Sequence, residues 1–145
     1  TAEVAINAPL EKVYAIAKDI ERFPEFMEDV EKVEIVSKTP DRQVSMWVAV
    51  VREFGRRITW TEEDFWSDEE HLCRFRQIDG DFTSYEGVWS FVQSDGGTLV
   101  RLEVTYEYRV PLVGPLIQNL LRKKVQHNCE AMLAALKARA EAETD

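Results

Sequence analysis

Apolar residues follow one spacing through the middle of the chain and another at its C-terminal end. From Val113 to Glu143 they recur at intervals of three and four residues, which places them on one face of a long amphipathic helix. The segment Val110 to Pro115 ends the preceding strand, because proline cannot donate to a sheet but suits the first turn of a helix. The apolar face of the helix is predicted to contain Ile117, Leu121, Val125, Asn128, Met132 and Leu136.

Asn128 is the polar residue on that apolar face. An unpaired amide there would cost about 1–3 kcal/mol, so the side chain requires a protein partner, a water molecule or a ligand. Asn128 is therefore a candidate ligand contact.

The N-terminal part of the chain begins as a strand and continues as helix. Val4 and Ile6 alternate with polar or small residues, and Pro9 suits the first position of a helix. The pair Phe23-Pro24 interrupts the helical spacing, since proline disfavours helix in the residue before it. The pattern predicts two short helices that meet at a bend, and strand spacing begins at Val30.

Six successive antiparallel strands are predicted between these helices and the C-terminal one. The second runs from Gln43 to Glu53, and the strongest hairpin signal is Ser94-Asp95-Gly96-Gly97. The last strand alternates most clearly, with one face formed by Val100, Leu102, Val104, Tyr106 and Tyr108.

The predicted fold class is α+β, in a single domain over residues 1–145. A seven-stranded curved antiparallel sheet should wrap around the long C-terminal helix, with two short helices after strand 1. Because a strongly twisted sheet cannot close fully on one helix, we expect a concavity between its inner face and the helix.

Composition narrows the choice of partners. The net charge of −9 repels phosphate backbones, so no nucleic acid is expected as a partner. No apolar run approaches the roughly 18 residues of a membrane span, so stable membrane insertion is not expected. Cys73 and Cys129 lie far apart within regular elements and are predicted to be free thiols, which fits a cytoplasmic location.

The sequence offers little for catalysis or for a cofactor. His71 and His127 are its only histidines, and both are predicted to be exposed. Two ligands such as His71 and Cys73 do not make a metal site, and no phosphate-binding loop or serine elbow is present. We therefore expect neither metal nor cofactor, and the balance leans away from an enzyme.

Acidic residues occupy both faces of the predicted third strand, at Glu62-Glu63-Asp64. The favoured interpretation is a solvated strand end, because charged residues are rarely buried unpaired. The alternative is that Glu62 points inward, where loss of water would raise its pKa and let it act as an acid/base or as a hydrogen-bond partner of a ligand.

Aromatic residues on the expected inner faces give the better indication of a binding site. Such side chains dominate cores as well as pockets, but the polar groups among them match a mostly apolar site with a few orienting hydrogen bonds. The candidate ligand-binding residues are Trp47, Trp60, Glu62, Phe75, Gln77, Trp89, Phe91, Tyr106, Tyr108, Leu121, Val125, Asn128 and Met132. The strand around Trp47 is apolar on both faces, so its inward face is not fixed and a homodimer contact there is a candidate.

Four segments together resemble a known superfamily. They are Ala8 to Tyr14, Phe23 to Met27, Tyr85 to Phe91, and the exit from Tyr106 to Pro111 into the long helix. Their order and spacing resemble the helix-grip superfamily of START lipid-transfer domains, birch-pollen-allergen-like proteins and bacterial polyketide cyclases. Within this SRPBCC superfamily, the similarity is to the coenzyme Q-binding and polyketide cyclase/dehydrase branch.

The resemblance implies a pocket but leaves its use open, because members range from carriers to enzymes. Our leading hypothesis is a carrier or sensor that binds a hydrophobic small molecule, for which the resemblance implies quinones, lipids or polyketides. The rival is a polyketide aromatase/cyclase with Glu62, Tyr106 or Tyr108 in acid/base roles. A third hypothesis is a protein-binding module similar to ribosome-associated toxins of the same branch, although the acidic charge argues against direct RNA contact.

Overall fold

The computed structural model describes residues 1–40, 42–51, 56–107 and 115–142. Seven strands in these residues form one antiparallel sheet with the order β1-β7-β6-β5-β4-β3-β2. The elements are β1 (Ala2–Ile6), α1 (Leu10–Lys18), a 3-10 turn (Ile20–Arg22), α2 (Phe23–Phe26), β2 (Val30–Lys38), β3 (Gln43–Val51), β4 (Arg56–Ser67), β5 (Leu72–Gly80), β6 (Ser84–Ser94), β7 (Gly97–Glu107) and α3 (Pro115–Ala142). The predicted α+β fold, with two short helices after strand 1 and a long C-terminal helix, is confirmed.

Strand β7 shows why the chain folds this way. Its alternating residues Val100 and Leu102 are buried under the helices, while Arg101 and Glu103 are exposed on the other face. The first strand pairs with β7, from Ala2 opposite Leu102 to Ile6 opposite Thr98. The N-terminal strand therefore completes the sheet next to the last strand, and the hairpins between β2 and β7 build the rest.

Gly87 lets β5, β6 and β7 approach closely. It lies opposite Phe75 on β5 and Val104 on β7. A methyl group at this position would overlap the carbonyl oxygen of Glu103 and the ring of Phe75. The absence of a side chain at Gly87 is thus what allows the Phe75 ring to lie across the inner face of the sheet.

Helix α3 has two parts with different roles. Its C-terminal part contributes the buried side chains of Leu133, Leu136 and Ala140, and Lys137 Nζ donates to the carbonyl oxygen of Ala5 at 2.9 Å. In the range 119–132, each described side chain is exposed or half-buried. The C-terminal part is therefore anchored to the sheet, whereas the N-terminal part covers it without a fully buried contact of its own.

The predicted helix and its faces agree with the structure where it describes them. Lys123 and His127 are exposed, as expected for the polar face, and Leu136 is buried on the apolar face. The side chains of Ile117 and Leu121 lie outside the described residues, as do positions 113, 114 and 143 at the predicted ends. No helix in the described part of the chain is long and apolar enough to cross a bilayer.

Candidate ligand-binding site

A cavity of about 80 Å³ lies between the inner face of the sheet and α3. Six aromatic side chains form much of its wall, and the polar side chains on it are those of Asp29, Glu62 and Asn128. Apolar walls with few polar groups are typical of small-molecule sites. The aromatic residues are Trp47, Trp60, Phe75, Phe82, Tyr85 and Trp89, and the remaining lining residues are Val30, Ala49, Ile58, Leu102, Val125, Cys129 and Met132.

Strand register holds the aromatic wall together. Trp47 on β3 lies directly opposite Trp60 on β4, and their rings stack with centroids 5.8 Å apart and planes 7° apart. Tyr85 lies 5.2 Å from Trp60 and stacks on Phe82 at 4.6 Å. Such ring pairs add about 0.5–1.5 kcal/mol each to the burial of their area. The structure also settles which face of β3 points inward, because Trp47 and Ala49 both line the cavity.

Two buried carboxyl groups lie at one end of this wall. Glu62 is 4% exposed and Asp64 is 3% exposed, so the favoured prediction of a solvated strand end is wrong for both. The inner face of β4 simply continues from Trp60 to Glu62 and Asp64, since alternate residues share a face. The alternative prediction, with Glu62 directed inward, is the one that the structure shows.

Hydrogen bonds explain how β4 keeps two acids buried. Trp60 Nε1 donates to Glu62 Oε1 at 2.7 Å, and Ser45 Oγ donates to Asp64 Oδ2 at 2.6 Å. Gln43 Nε2 adds a longer contact of 3.4 Å to Asp64 Oδ2. Buried polar groups persist when they are paired in this way. The partners of Asp64 come from β3, the neighbouring strand, and the sequence of β4 alone does not reveal them.

The carboxyl groups of Glu62 and Asp64 are hydrogen-bonded to each other, and both have raised pKa values. Burial raises the pKa of Glu62 well above its usual value of 4.5, and a hydrogen bond to Asp64 and the charge of Asp64 raise it further. Burial also raises the pKa of Asp64, while hydrogen bonds from Glu62 and Ser45 oppose that rise. The hydrogen bond between them raises the pKa of Glu62 and lowers that of Asp64, which assigns the donor role in this bond to Glu62.

Glu63 has the opposite environment. It lies between Glu62 and Asp64 in sequence, so its side chain is on the outer face, where Arg42 and Arg76 both donate to it. These two hydrogen bonds lower the pKa of Glu63. The pKa values of adjacent glutamates on β4 are thus shifted in opposite directions, because one faces the cavity and the other faces two arginines.

Most of the predicted site residues line the cavity. These are Trp47, Trp60, Glu62, Phe75, Trp89, Val125, Asn128 and Met132. Their contact with a ligand stays a prediction. Tyr108 lies outside the described residues, and so does the side chain of Leu121.

Three predicted site residues are placed elsewhere. Gln77 has a structural role, because its side chain holds the backbone of Phe82. Its amide donates to the carbonyl oxygen of Phe82 at 2.8 Å and accepts from the Phe82 N–H at 3.2 Å. Phe91 is buried beneath α1, with its ring 5.4 Å from that of Tyr14. Tyr106 is half-buried and contacts the ring of Phe82 at 6.0 Å, and it is absent from the cavity wall.

Asn128 meets its need for a partner within the protein. With its amide nitrogen turned toward Asp29, the orientation that suits the surrounding groups, it donates to Asp29 Oδ2 at 3.1 Å and to the carbonyl oxygen of Lys124 at 3.3 Å. The side chain still borders the cavity. Asn128 therefore links α3 to the segment before β2 at the edge of the site.

Sequence reasoning missed several wall residues. Tyr85, Ile58 and Leu102 could have been included, because each shares a strand face with a predicted site residue. Phe82 lies between β5 and β6, where no periodicity indicates its direction. Cys129 is half-buried on α3, and burial raises its pKa to about 11, so its thiol stays protonated at neutral pH.

The remaining sequence candidates are the two cysteines and the two histidines. Cys73 and Cys129 are free thiols, as predicted. His127 is exposed, whereas His71 is half-buried, contrary to prediction, and its Nε2 lies 2.7 Å from Glu11 Oε1. Neither histidine is part of the cavity wall.

The seven-stranded antiparallel sheet, the long C-terminal helix and the apolar cavity between them define a helix-grip fold. A model of the family "Polyketide cyclase / dehydrase and lipid transport" matches residues 6–133, and the chain belongs to that family. The resemblance stated from the sequence is thereby confirmed.

Individual relatives agree with this assignment. The chain is 40% identical to the protein TTHA0849 from Thermus thermophilus, with a TM-score of 0.93 over 99% of this chain and 97% of that one. It is 23% identical to a putative polyketide cyclase from Streptomyces cyaneus over 96% of this chain and 91% of the relative. It shares the fold of the Zhui aromatase/cyclase from a Streptomyces species, with 23% identity and a TM-score of 0.87 over 97% of this chain and 91% of that one.

Proposed function

We propose that this chain binds an apolar, ring-bearing small molecule between the sheet and α3, as a carrier or sensor. The observation that carries the proposal is the aromatic wall around Trp60, which ends at the buried acid Glu62. Apolar burial would supply affinity at about 25 cal/mol per Å², and the polar end would fix orientation. Family membership supports lipids and polyketides as ligand classes, and the resemblance to coenzyme Q-binding proteins adds quinones.

The size of the cavity implies a movement on binding. Its volume of about 80 Å³ is close to half that of an apolar cavity that admits benzene, roughly 150 Å³. A ligand with several rings therefore needs the cavity to widen. The N-terminal part of α3 is the element best suited to move, because none of its described side chains in the range 119–132 is fully buried. Its outward displacement would not open the core around Leu136.

The test combines ligand detection with a block of the cavity. Native mass spectrometry of the purified chain should detect a retained small molecule, and a panel of quinones, lipids and aromatic polyketides should raise its Tm. Val125→Trp, on the cavity side of α3, should abolish both effects. The control is Leu120→Trp, which places the same ring at a position that is 43% exposed.

Two results would count against the proposal. One is the failure of every compound to shift Tm with nothing retained in the wild type. The other is equal binding by Val125→Trp and wild type, because it would place the ligand outside the cavity.

A second candidate function is that of a polyketide aromatase/cyclase. It is favoured by Glu62 on the cavity wall, whose pKa is raised by burial and by its hydrogen bond to Asp64, since a raised carboxyl pKa in an apolar site suits acid/base catalysis. The names of the Streptomyces relatives point the same way. Tyr106 is a weaker acid/base candidate because it is absent from the cavity wall.

Turnover of a poly-β-ketone mimic would test this second function. Cyclisation and loss of water should be detectable with the wild type and with Glu63→Gln, and should be lost in Glu62→Gln. Turnover that survives in Glu62→Gln but disappears in Tyr106→Phe would instead assign the chemistry to the tyrosine.

A further inference from the structure

We infer that the polar end of the cavity selects a ring hydroxyl, which donates to Glu62 and accepts from Tyr85, over an ether, a ketone or a carboxylate at the same position. This inference rests on the proposed binding function and names the ligand chemistry of the same site. It follows from counting the donors and acceptors that the protein has already used there.

Glu62 can accept a further hydrogen bond from a ligand, but it has no donor available for one. A protonated carboxyl group has one O–H donor, and in Glu62 this donor is directed to Asp64. Glu62 Oε1 accepts from Trp60 Nε1 and retains further lone-pair capacity. Because Glu62 lines the cavity, a ligand can meet it there as a donor.

The neighbouring donors are also committed to protein partners. The Ser45 hydroxyl donates to Asp64, and Trp47 Nε1 donates to Ser45 Oγ at 2.9 Å. Trp60 Nε1 already donates to Glu62 Oε1. A ligand carbonyl directed at Glu62 would therefore meet acceptor atoms and gain no hydrogen bond from these groups, which makes its burial costly.

Tyr85 supplies the complementary donor. Its ring lies 5.2 Å from Trp60, the residue that donates to Glu62, and its hydroxyl has no hydrogen-bond partner among the described residues. Burial raises the pKa of Tyr85, and the neighbouring acidic groups, Glu62 first and then Asp64, raise it further, so the hydroxyl keeps its proton. A hydroxyl is both donor and acceptor, so it can bond to Glu62 and Tyr85 together. An ether or a ketone can bond only to Tyr85.

The two acidic side chains at this end of the cavity disfavour a ligand that carries a carboxylate. The carboxyl groups of Glu62 and Asp64 lie together at this end, and no cation is bonded to either of them among the residues that the structure describes. A ligand carboxylate would be a third carboxyl group in this apolar site, and burying its charge without a cation is costly. A neutral phenol or enol thus fits this end better than a fatty acid.

The experiment compares three probes of one shape, 2-naphthol, 2-methoxynaphthalene and 2-naphthoate, by titration calorimetry at neutral pH. The naphthol should bind about tenfold more tightly than the methyl ether, and the naphthoate should bind most weakly. Glu62→Met should bring the ratio of naphthol to ether affinity close to one. The control variant, Glu63→Gln, changes the neighbouring acid on the outer face and should keep the wild-type ratio.

Failure of this inference is separable from failure of the proposed function. Equal binding of naphthol and ether by the wild type would overturn the hydroxyl preference and leave the cavity as a binding site. Tight binding of the naphthoate would also overturn the preference. Absence of binding by all three probes and by the ligand panel would overturn the proposed function. The wild-type ratio decides the matter even if Glu62→Met does not fold.

Discussion

Replacing Glu62 with glutamine should change how the stability of the protein depends on pH. Glu62 has a raised pKa in the folded state because it is buried. The folded protein therefore holds a proton at pH values where the unfolded chain has released it. The stabilisation from this proton is complete below the usual glutamate pKa of 4.5 and is lost as the pH rises toward the folded-state value.

The size of the effect follows from one proton. A single proton held by the folded state and released on unfolding lowers the free energy of unfolding by about 1.4 kcal/mol per pH unit as the pH rises. For a chain of 145 residues, this corresponds to about 5 °C in Tm per pH unit. Glutamine cannot ionise, yet it can still accept from Trp60 and donate to Asp64. The Glu62→Gln variant should therefore have a smaller slope, by about this amount.

The assay is urea unfolding followed by tryptophan fluorescence, at pH values from about 5 upward. Glu63→Gln is the matched control because the pKa of Glu63 is lowered by Arg76 and Arg42. Its stabilising contribution is present above the usual pKa and is lost only as the pH falls below it. The Glu63→Gln variant should therefore be less stable than wild type by a constant amount above pH 5 and should keep the wild-type slope there. If Glu62→Gln keeps the wild-type slope above pH 5, Glu62 is not the group that holds the proton and our reasoning is refuted.

Three further predictions concern the stability of the fold, each measured by urea or thermal unfolding. Leu136→Ala should cost about 2–5 kcal/mol because the side chain is fully buried, whereas Leu120→Ala, at an exposed position, should cost under about 0.5 kcal/mol. Gly87→Ala should cost about 3 kcal/mol through overlap with the adjacent strand, and Gly96→Ala, with open space around it and a φ of +83°, should cost only about 1–2 kcal/mol. Ser45→Ala should cost about 1.5–3 kcal/mol because it removes a donor to a buried carboxylate. Equal losses within either matched pair, or an unchanged stability for Ser45→Ala, would contradict the stated contacts.

The fold could be predicted well from the sequence because its strands alternate between residues on a solvent-exposed face and residues on a buried face. In β7 the alternation of Val100 and Leu102 with Arg101 and Glu103 fixed both the element and its direction toward the core. The long helix was equally clear, since its apolar face repeats at helical spacing up to Leu136. Because these apolar patterns follow directly from which side chains are buried, local periodicity was sufficient to predict the strands and the long helix.

The polar part of the site could not be predicted in the same way. Periodicity placed Glu62 and Asp64 on the inner face, but the general cost of burying acids argued against it. What outweighs that cost is a set of donors that includes Ser45 from another strand, and strand register is needed to find it. Gln77 was assigned to the site for its chemistry, whereas the fold uses it to hold the backbone of Phe82. The burial of the two acids and the structural role of Gln77 both depend on contacts with residues outside the strand concerned, which periodicity within one strand does not reveal.

The attachment of α3 to β1 also determines when the cavity can exist during folding. Strands β2 to β7 form by successive hairpins, which need only local chain closure and are therefore fast. The contacts of Ala5 with Lys137 and of Ala2 with Leu102 join β1 to residues far away in the sequence, and such closure is slow. We expect the open sheet to form first and to expose Trp60 and Trp89 until the chain ends meet. Pulsed hydrogen exchange should show β4 and β6 protected before β1 and α3, so a ligand present in that interval would meet the aromatic wall before the helix covers it.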